Sequence, residues 1–393
     1  MSLPYFDYNA MTPLDPRCRA AMEPYWDEVF ANPASTHPAG RRAREAVEAA
    51  RETIRAVVGG TETDLLVLTS GATEANNLAI LGCAAANAYR GRHVICSAIE
   101  HSSVLEPVKR LGKCGFDVET LPVKSEGAID PHQLKSAIRA DTTLVSVMAA
   151  NNETGVEQDV AACAEICERK DVAFHTDATQ IIGKAVYGPV GDLVSFSSHK
   201  TYGPNGVGAL LIRRSRRPMH LKPITFGGGH EHGLRPGTVP VPLVVGFSQA
   251  CELANSGLEE ERQRLAGLRD HFEAKLRTQL PGVIQFNGQA ARRLPHVSNF
   301  SLHIANSDRV IEAIQDRIAV SPAAACHGLA DKPSHVLTAM GLPDQMALAT
   351  IRWSIGRHTT IDEVNHAVED VTECVNQLVK RKQATAHDRK RRK

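Results

Sequence analysis

Short apolar runs alternate with amphipathic stretches through the middle of the chain. Residues 65–69 (LLVLT) are a continuous apolar run, which predicts a short strand buried on both faces. The run leads into Ser70–Gly71 and then an alanine-rich stretch with helical composition to about Tyr89. The same alternation predicts strands at 93–97, 118–123, 143–148, 172–177, 193–197 and 206–213, with helices at 102–111, 131–138 and 160–169. Strands and helices in this order predict an α/β domain with a mostly parallel sheet of seven-stranded type flanked by helices. Ligands of such sheets bind beyond the carboxyl ends of the strands. The informative residues should therefore follow strands.

The texture changes after about residue 257. A long charged helix over 258–279 reads as a domain linker, and shorter strands and helices follow, ending in a helix from 361 to about 380. This predicts a smaller α+β domain over 258–379, and 393 residues are more than one core usually organises. The net charge of +1 conceals an asymmetry. Residues 380–393 hold eight Lys or Arg and one Asp, which leaves 37 basic against 43 acidic side chains, or −6, on residues 1–379. The tail reads as a disordered, solvated basic segment or, functionally, as a contact for nucleic acid. No apolar run follows a basic start, and no stretch of 18 apolar residues occurs, so neither a secretory signal nor a membrane span is expected. Nine scattered cysteines form no disulfide framework and fit a reducing cytoplasm. Cys163 and Cys167 lie one helical turn apart without a second ligand pair, which favours burial over metal binding.

The segment 195–204 reads SFSSHKTYGP and places Lys200 at a strand end. A neutral lysine there is suited to attack an aldehyde and form a Schiff base. Asp177 closes another strand in HTDATQ and can pair with the pyridine nitrogen of pyridoxal phosphate, whose protonated ring withdraws electrons from a bound substrate. Gln180, three residues on, suits the ring hydroxyl. Ser70–Glu74 (SGATE) joins a strand to a helix, where first-turn amides and Thr73 suit a phosphate. His101 follows a further strand and can stack on the ring. Each residue alone has a plain structural reading; together they occupy the strand ends of one sheet. Gly203–Gly208 (GPNGVG) is not a phosphate-binding loop of the Walker type and reads as the turn after Lys200.

With these residues assembled, the chain resembles a group I cysteine desulfurase of the class V aminotransferase family, a fold-type I pyridoxal-phosphate enzyme. The resemblance runs through FDYNAMTP (6–13), NPAS (32–35), TSGATEANNLAI (69–80), EHSSVL (100–105), NNETG (151–155), HTDATQ (175–180), SFSSHKTYGPNGVGAL (195–210), GGGHEHGLRPGT (227–238), SPAAAC (321–326) and IRWSIGR (351–357). It implies that pyridoxal phosphate is bound covalently to Lys200, with Asp177 on the pyridine nitrogen, Gln180 on the ring oxygen and His101 on the ring face. It implies phosphate contacts from Ala72, Thr73, Ser197 and His199, and from Thr238 of a neighbouring subunit, so that a homodimer is expected. Asn152 would lie by substrate and ring, and Arg352 would take the substrate carboxylate, a task for a bidentate guanidinium. L-cysteine would become L-alanine, with its sulfur carried as a persulfide on Cys326 to an acceptor protein. Residues 16–257 would bind the cofactor, 1–15 would associate with the small domain, and 258–379 would carry Cys326 and Arg352. No resident metal is expected; transient ligation of an iron–sulfur cluster is the one metal contact open to Cys326.

The chain departs from the family at Met11, where a threonine is usual, with little effect expected, and more in two other places. The segment before the cysteine is usually rich in Ser and Gly, but here it is Ser-Pro-Ala-Ala-Ala over 321–325, which is stiffer. An ordered Cys326 held away from the cofactor is therefore expected. The basic tail replaces a longer apolar extension, which turns the expected pathway toward nucleic-acid sulfuration, by DNA phosphorothioation or tRNA thiolation, beside iron–sulfur assembly. A selenocysteine lyase, another class V aminotransferase and an inactive binding subunit remain as alternatives. His327 follows Cys326 directly and is placed to favour the thiolate. Replacing His327 with Gln is expected to raise the thiol pKa and slow turnover with cysteine, as read by alkylation rates across pH; an unchanged profile would remove His327 from the chemistry.

Overall fold

The computed structural model describes residues 3–185, 188, 190–214, 218–303, 307–322 and 332–391, with the side chains of 307–309 and 381–391 excepted. Cys326 and His327 lie outside the described residues, as does the expectation of an ordered, distant cysteine. Seven strands form the first sheet: β1 (Leu65–Thr69), β2 (His93–Ser97), β3 (Asp117–Leu121), β4 (Thr142–Ser146), β5 (Ala173–Asp177), β6 (Leu193–Ser197) and β7 (Gly208–Ile212). Their order is β1-β7-β6-β5-β4-β2-β3. The four pairings among β2, β3, β4, β5 and β6 are parallel, and β7 runs antiparallel to both β6 and β1. The reversal has a simple cause. Only residues 198–207 connect β6 to β7, too few for a parallel crossover. Gly206, at φ +85°, takes a left-handed conformation within that connection.

Strands β1, β2, β4, β5, β6 and β7 are buried along their whole length, including the polar residues that β2, β4, β5 and β6 carry. One face packs on the helices Pro38–Val57 and Val241–Asn255 through Val47, Ile54, Val244 and Phe247. The other packs on Leu78, Ile80, Val104 and Val108. The alanine-rich stretch is not one α-helix. It runs as Ala72–Asn77, a π-helical turn Leu78–Gly82, and Cys83–Asn87. The Lys222 amide donates to the Gly82 carbonyl, and a Cβ on Gly82 would stand 2.6 Å from the Lys222 carbonyl oxygen. The wider turn lies where this outside segment docks.

A second, antiparallel sheet has the order β10-β11-β9-β8, with β8 (Ile284–Phe286), β9 (Val297–Leu302), β10 (Ser321–Pro322) and β11 (Thr350–Ser354). Phe272 of the helix Leu258–Gln279 stacks on Trp353 with centroids 3.9 Å apart. The N-terminal segment joins this sheet through Tyr5, bridged to Ala319, and Asp7, bridged to Ser354. The last helix spans Ile361–Arg391, so the backbone stays helical through the tail that composition alone reads as disordered, and past the expected end near 380. The reason is local: residues 380–391 contain no Gly or Pro and are rich in Lys, Arg and Ala, which propagate a helix. Among the described residues no helix is long and apolar enough to cross a membrane.

Glu100 locks two strand ends together. It is fully buried, and its Oε1 accepts from Ser97 Oγ at 2.6 Å and from the Met148 amide at 2.7 Å. Burial, the largest influence, pushes its carboxyl up from 4.5 to about 8. Below about 4.5 both folded and unfolded chains hold this proton, so the group is neutral to stability. As pH rises toward about 8 the unfolded chain ionises first, and stability falls. Thermal melts between pH 5 and 9 should therefore show a decline on the alkaline side that Glu100→Gln flattens; parallel pH profiles for the two proteins would contradict it.

Candidate active site

The carboxyl ends of β1, β4, β5 and β6 open onto a cleft of about 410 Å³. Of the residues singled out in the sequence, Ala72, Thr73, His101, Asn152, Asp177, Gln180, His199, Lys200 and Arg352 line it together. Ser197 stands just behind, buried, with Oγ 2.8 Å from His199 Nδ1. Thr238 does not reach the cleft of its own chain and is exposed. Cys326 lies outside the described residues.

Lys200 follows β6 in a single 3-10 turn. Its Nζ donates to the main-chain carbonyls of Asn9 at 2.7 Å and Ala10 at 2.6 Å. These carbonyls, from the N-terminal segment, hold the amine at the cleft. Asp177 ends β5 with its carboxylate fixed on two sides. Its Oδ1 accepts from the Thr179 amide at 2.9 Å, and its Oδ2 from Asn76 Nδ2 at 2.7 Å. Asn76 also donates to Ser103 Oγ at 2.8 Å, and that hydroxyl lies 2.8 Å from His101 Nδ1. His101 caps the helix Ser102–Lys113, its Nδ1 accepting from the Ser103 amide at 3.1 Å. A ring nitrogen that accepts from an amide carries no proton, so this network assigns the His101 proton to Nε2. Burial, aided by the cations Lys200 and Lys184, pushes His199 down to about 4, so it is neutral at ordinary pH.

The phosphate-sized end of the cleft is formed by Ser70–Glu74. Gly71 has φ +152° and ψ 177°, a conformation reserved for glycine. A Cβ on neighbouring Gly208 would lie 2.6 Å from Gly71 Cα, so both glycines are needed for the close approach of β7 to this turn. The first-turn amides that follow have no acceptor inside their own helix. Glu74 accepts from the Ser70 amide at 2.6 Å and from Arg235 Nε at 2.8 Å. Arg51 meets Glu231 through two contacts of 2.8 and 2.9 Å, and Glu231 accepts from the Leu68 amide at 2.7 Å. The buried Arg51–Glu231 pair holds the segment leading to Thr238 against β1, and the part-buried Glu74–Arg235 pair ties that segment to the helix after the turn.

Arg352, on β11, is 2 % exposed, and its Nη2 donates to Asp7 Oδ1 at 2.7 Å. Asp7 Oδ2 accepts from Ser321 Oγ at 2.7 Å. A pyridoxal ring fits the residues present. A lysine amine, a fixed carboxylate and a glycine-lined turn with open amides converge on one cleft, and Asn76 Oδ1 and Arg352 Nε are buried polar atoms without a partner among the described residues. When bound, the cofactor supplies an electron sink.

Motif reading missed several supports of the site. Asn76, fully buried within ANNLAI, orients Asp177; its signal was a polar residue inside an apolar helical run. Asp7 and Asn9 come from the N-terminal segment, where a turn starting at Asp7, its carbonyl accepting from the Ala10 amide at 2.9 Å, brings Asn9 into the cleft while Asp7 pairs with Arg352. Cys163 and Cys167 are buried, in keeping with a packing role, and no metal-binding cluster occurs among the described residues.

Comparison with known proteins agrees with this geometry. The family model described as aminotransferase class-V matches residues 4–366. The cysteine desulfurase IscS of Photorhabdus laumondii is 41% identical over 388 residues, covering 96% of this chain and 94% of that protein. The structure of a NifS-like protein superposes with a TM-score of 0.88 at 33% identity over 95% of this chain and all of that one. SspA in complex with cysteine superposes with a TM-score of 0.79 at 35% identity over 91% of this chain and all of that one. With its mixed seven-stranded sheet and its cleft at the strand ends, the chain belongs to the class V aminotransferase family.

Proposed function

We propose that this chain is a pyridoxal-phosphate-dependent cysteine desulfurase, with Lys200 as its cofactor lysine and Cys326 as its sulfur acceptor. The observation that carries the reading is the convergence of Lys200, Asp177, His101, Gln180 and Arg352 on one cleft. The relatives support it: IscS is a cysteine desulfurase, and the SspA structure contains cysteine.

Arg352 binds the carboxylate of L-cysteine and sets the substrate's position. For this the guanidinium must share or exchange its contact with Asp7. Lys200 takes the α-proton and returns one to the substrate, and the Asn9 and Ala10 carbonyls steady its amine while it is free. His101, with its proton on Nε2, is placed as a stacking group and proton donor. Asp177, fixed by Asn76, keeps the pyridine nitrogen protonated. Asn152 borders substrate and ring. The thiolate of Cys326 attacks the substrate sulfur: an S–S bond forms, the substrate's C–S bond breaks, and the carbon takes a proton to give L-alanine.

Ala72, Thr73, Ser197 and His199 hold the phosphate, and the exposed Thr238 reaches the phosphate of a second subunit in a homodimer. In this reading residues 16–257 form the cofactor domain, and 258–379 the small domain to which 1–15 belong. The enzyme works in the cytoplasm, and the persulfide passes to an acceptor protein. The basic end of the last helix favours a nucleic-acid sulfuration pathway over general iron–sulfur assembly.

Cys326→Ser is expected to abolish sulfide release and alanine formation from cysteine while the visible pyridoxal band remains. Lys200→Ala is expected to lose that band. Sulfide production that survives Cys326→Ser would defeat the mechanism.

A further inference from the structure

Lys184 has no place in the chemistry so far. It lies four residues after Gln180, in the run of turns that follows β5. Its Nζ donates to Gln180 Oε1 at 3.3 Å. On the other side of the amide, Gln180 Nε2 donates to the Asn9 main-chain oxygen at 3.1 Å, the oxygen that also accepts from Lys200 at 2.7 Å. An ammonium only donates and a carbonyl only accepts, so these two partners fix which way the amide faces. A flipped amide would set oxygen against oxygen and N–H against ammonium.

The surroundings of Lys184 do not explain it as a structural ion pair. Among the described residues no carboxylate pairs with it. Asp177 is committed to Asn76 and Thr179, and Asp7 to Arg352 and Ser321. The charged groups that act on it are Lys200, at the end of β6, and Arg352, on β11. Its own charge acts on His199, after β6, and on His296, before β9, and both histidines are held neutral. Burial first, then the two cations, push the ammonium down to about 7.

The backbone fixes it there. Gly183 has φ +71°, and a Cβ at that position would lie 2.6 Å from Ala254 Cβ and 2.7 Å from Thr201 Cγ2. The turn is therefore pressed between the helix Val241–Asn255 and the segment after Lys200. Lys184 does not line the cleft. It lines a neighbouring cavity of about 290 Å³ with Tyr8, Thr12, Tyr202 and His296, whereas Asn9 and Ala10 of the same segment face the cleft.

We propose that Lys184 is a positioning residue for the cofactor ring: it holds Gln180 Oε1 so that the amide's N–H edge, beside Lys200, is presented to the ring oxygen. This rests on the reading of Gln180 as the partner of that oxygen. A donor held there favours the ring oxygen as an anion, which lowers the pH at which the visible band titrates.

The test is absorbance titration of purified holoenzyme. Lys184→Met should keep the band but raise its pH midpoint by about one unit, a tenfold change in proton affinity. Lys184→Arg, which can only donate, should titrate near wild type. Lys184→Leu, which likewise cannot donate, is read in the same way as the methionine variant should that one fail to fold. A wild-type midpoint in the Met or Leu variant, with Gln180→Ala shifted, overturns the role of Lys184 alone. An unshifted midpoint in Gln180→Ala overturns the assignment of Gln180 and this proposal with it. A visible band that survives Lys200→Ala defeats the reading of the whole site.

Discussion

A buried polar group must find a partner, and Asn9, 1 % exposed, meets that demand by joining both sheets. Its amide donates to Ser354 Oγ on β11, and its side chain bonds to His296 and to the Asn152 carbonyl. Its main-chain oxygen accepts from Lys200 and Gln180. The reactive amine on the first sheet and the arginine-bearing strand of the second are thus referred to one crossing segment. Asp7 and Ser321 extend the same linkage to β10, where the chain leads toward Cys326. Loss of Asn9 would leave several buried groups without partners at once, which costs more than the loss of one bond.

A second theme is the separation of placing a group from using it. Asp177 is held by Asn76, His101 by Ser103, Gln180 by Lys184 and Arg352 by Asp7. A pyridoxal site needs its carboxylate, its amine and its carboxylate-binding cation at fixed mutual positions, because an electron sink works only when the bond to be broken is aligned with it. Buried hydrogen bonds supply that alignment here. The glycines at 183 and 208 sit where any side chain would collide, and Gly71 takes a backbone conformation closed to other residues.

Much of this was legible in the sequence. The strands beginning at 65, 93 and 193 stand where the apolar runs place them, because a strand buried on both faces draws most of its residues from the apolar set. Lys200, Asp177 and His101 fall at strand ends because a parallel sheet puts its ligand side there. The reversal of β7, the π-helical turn at Leu78–Gly82 and the helical tail were not legible, since each follows from local connection length, outside docking or propensity that the apolar pattern does not encode.

By itself the sequence determined the α/β class, the order of the strands along the chain and the chemical types gathered at their ends. Only the tertiary structure decided the partners. Arg352 and Asp7 are 345 residues apart, and Asn76 and Asp177 are 101 apart. Periodicity reports which face of an element is buried, not which element comes to cover it. The choice of partner is made when the sheets pack and each buried donor or acceptor must be satisfied by whatever group the fold brings within reach.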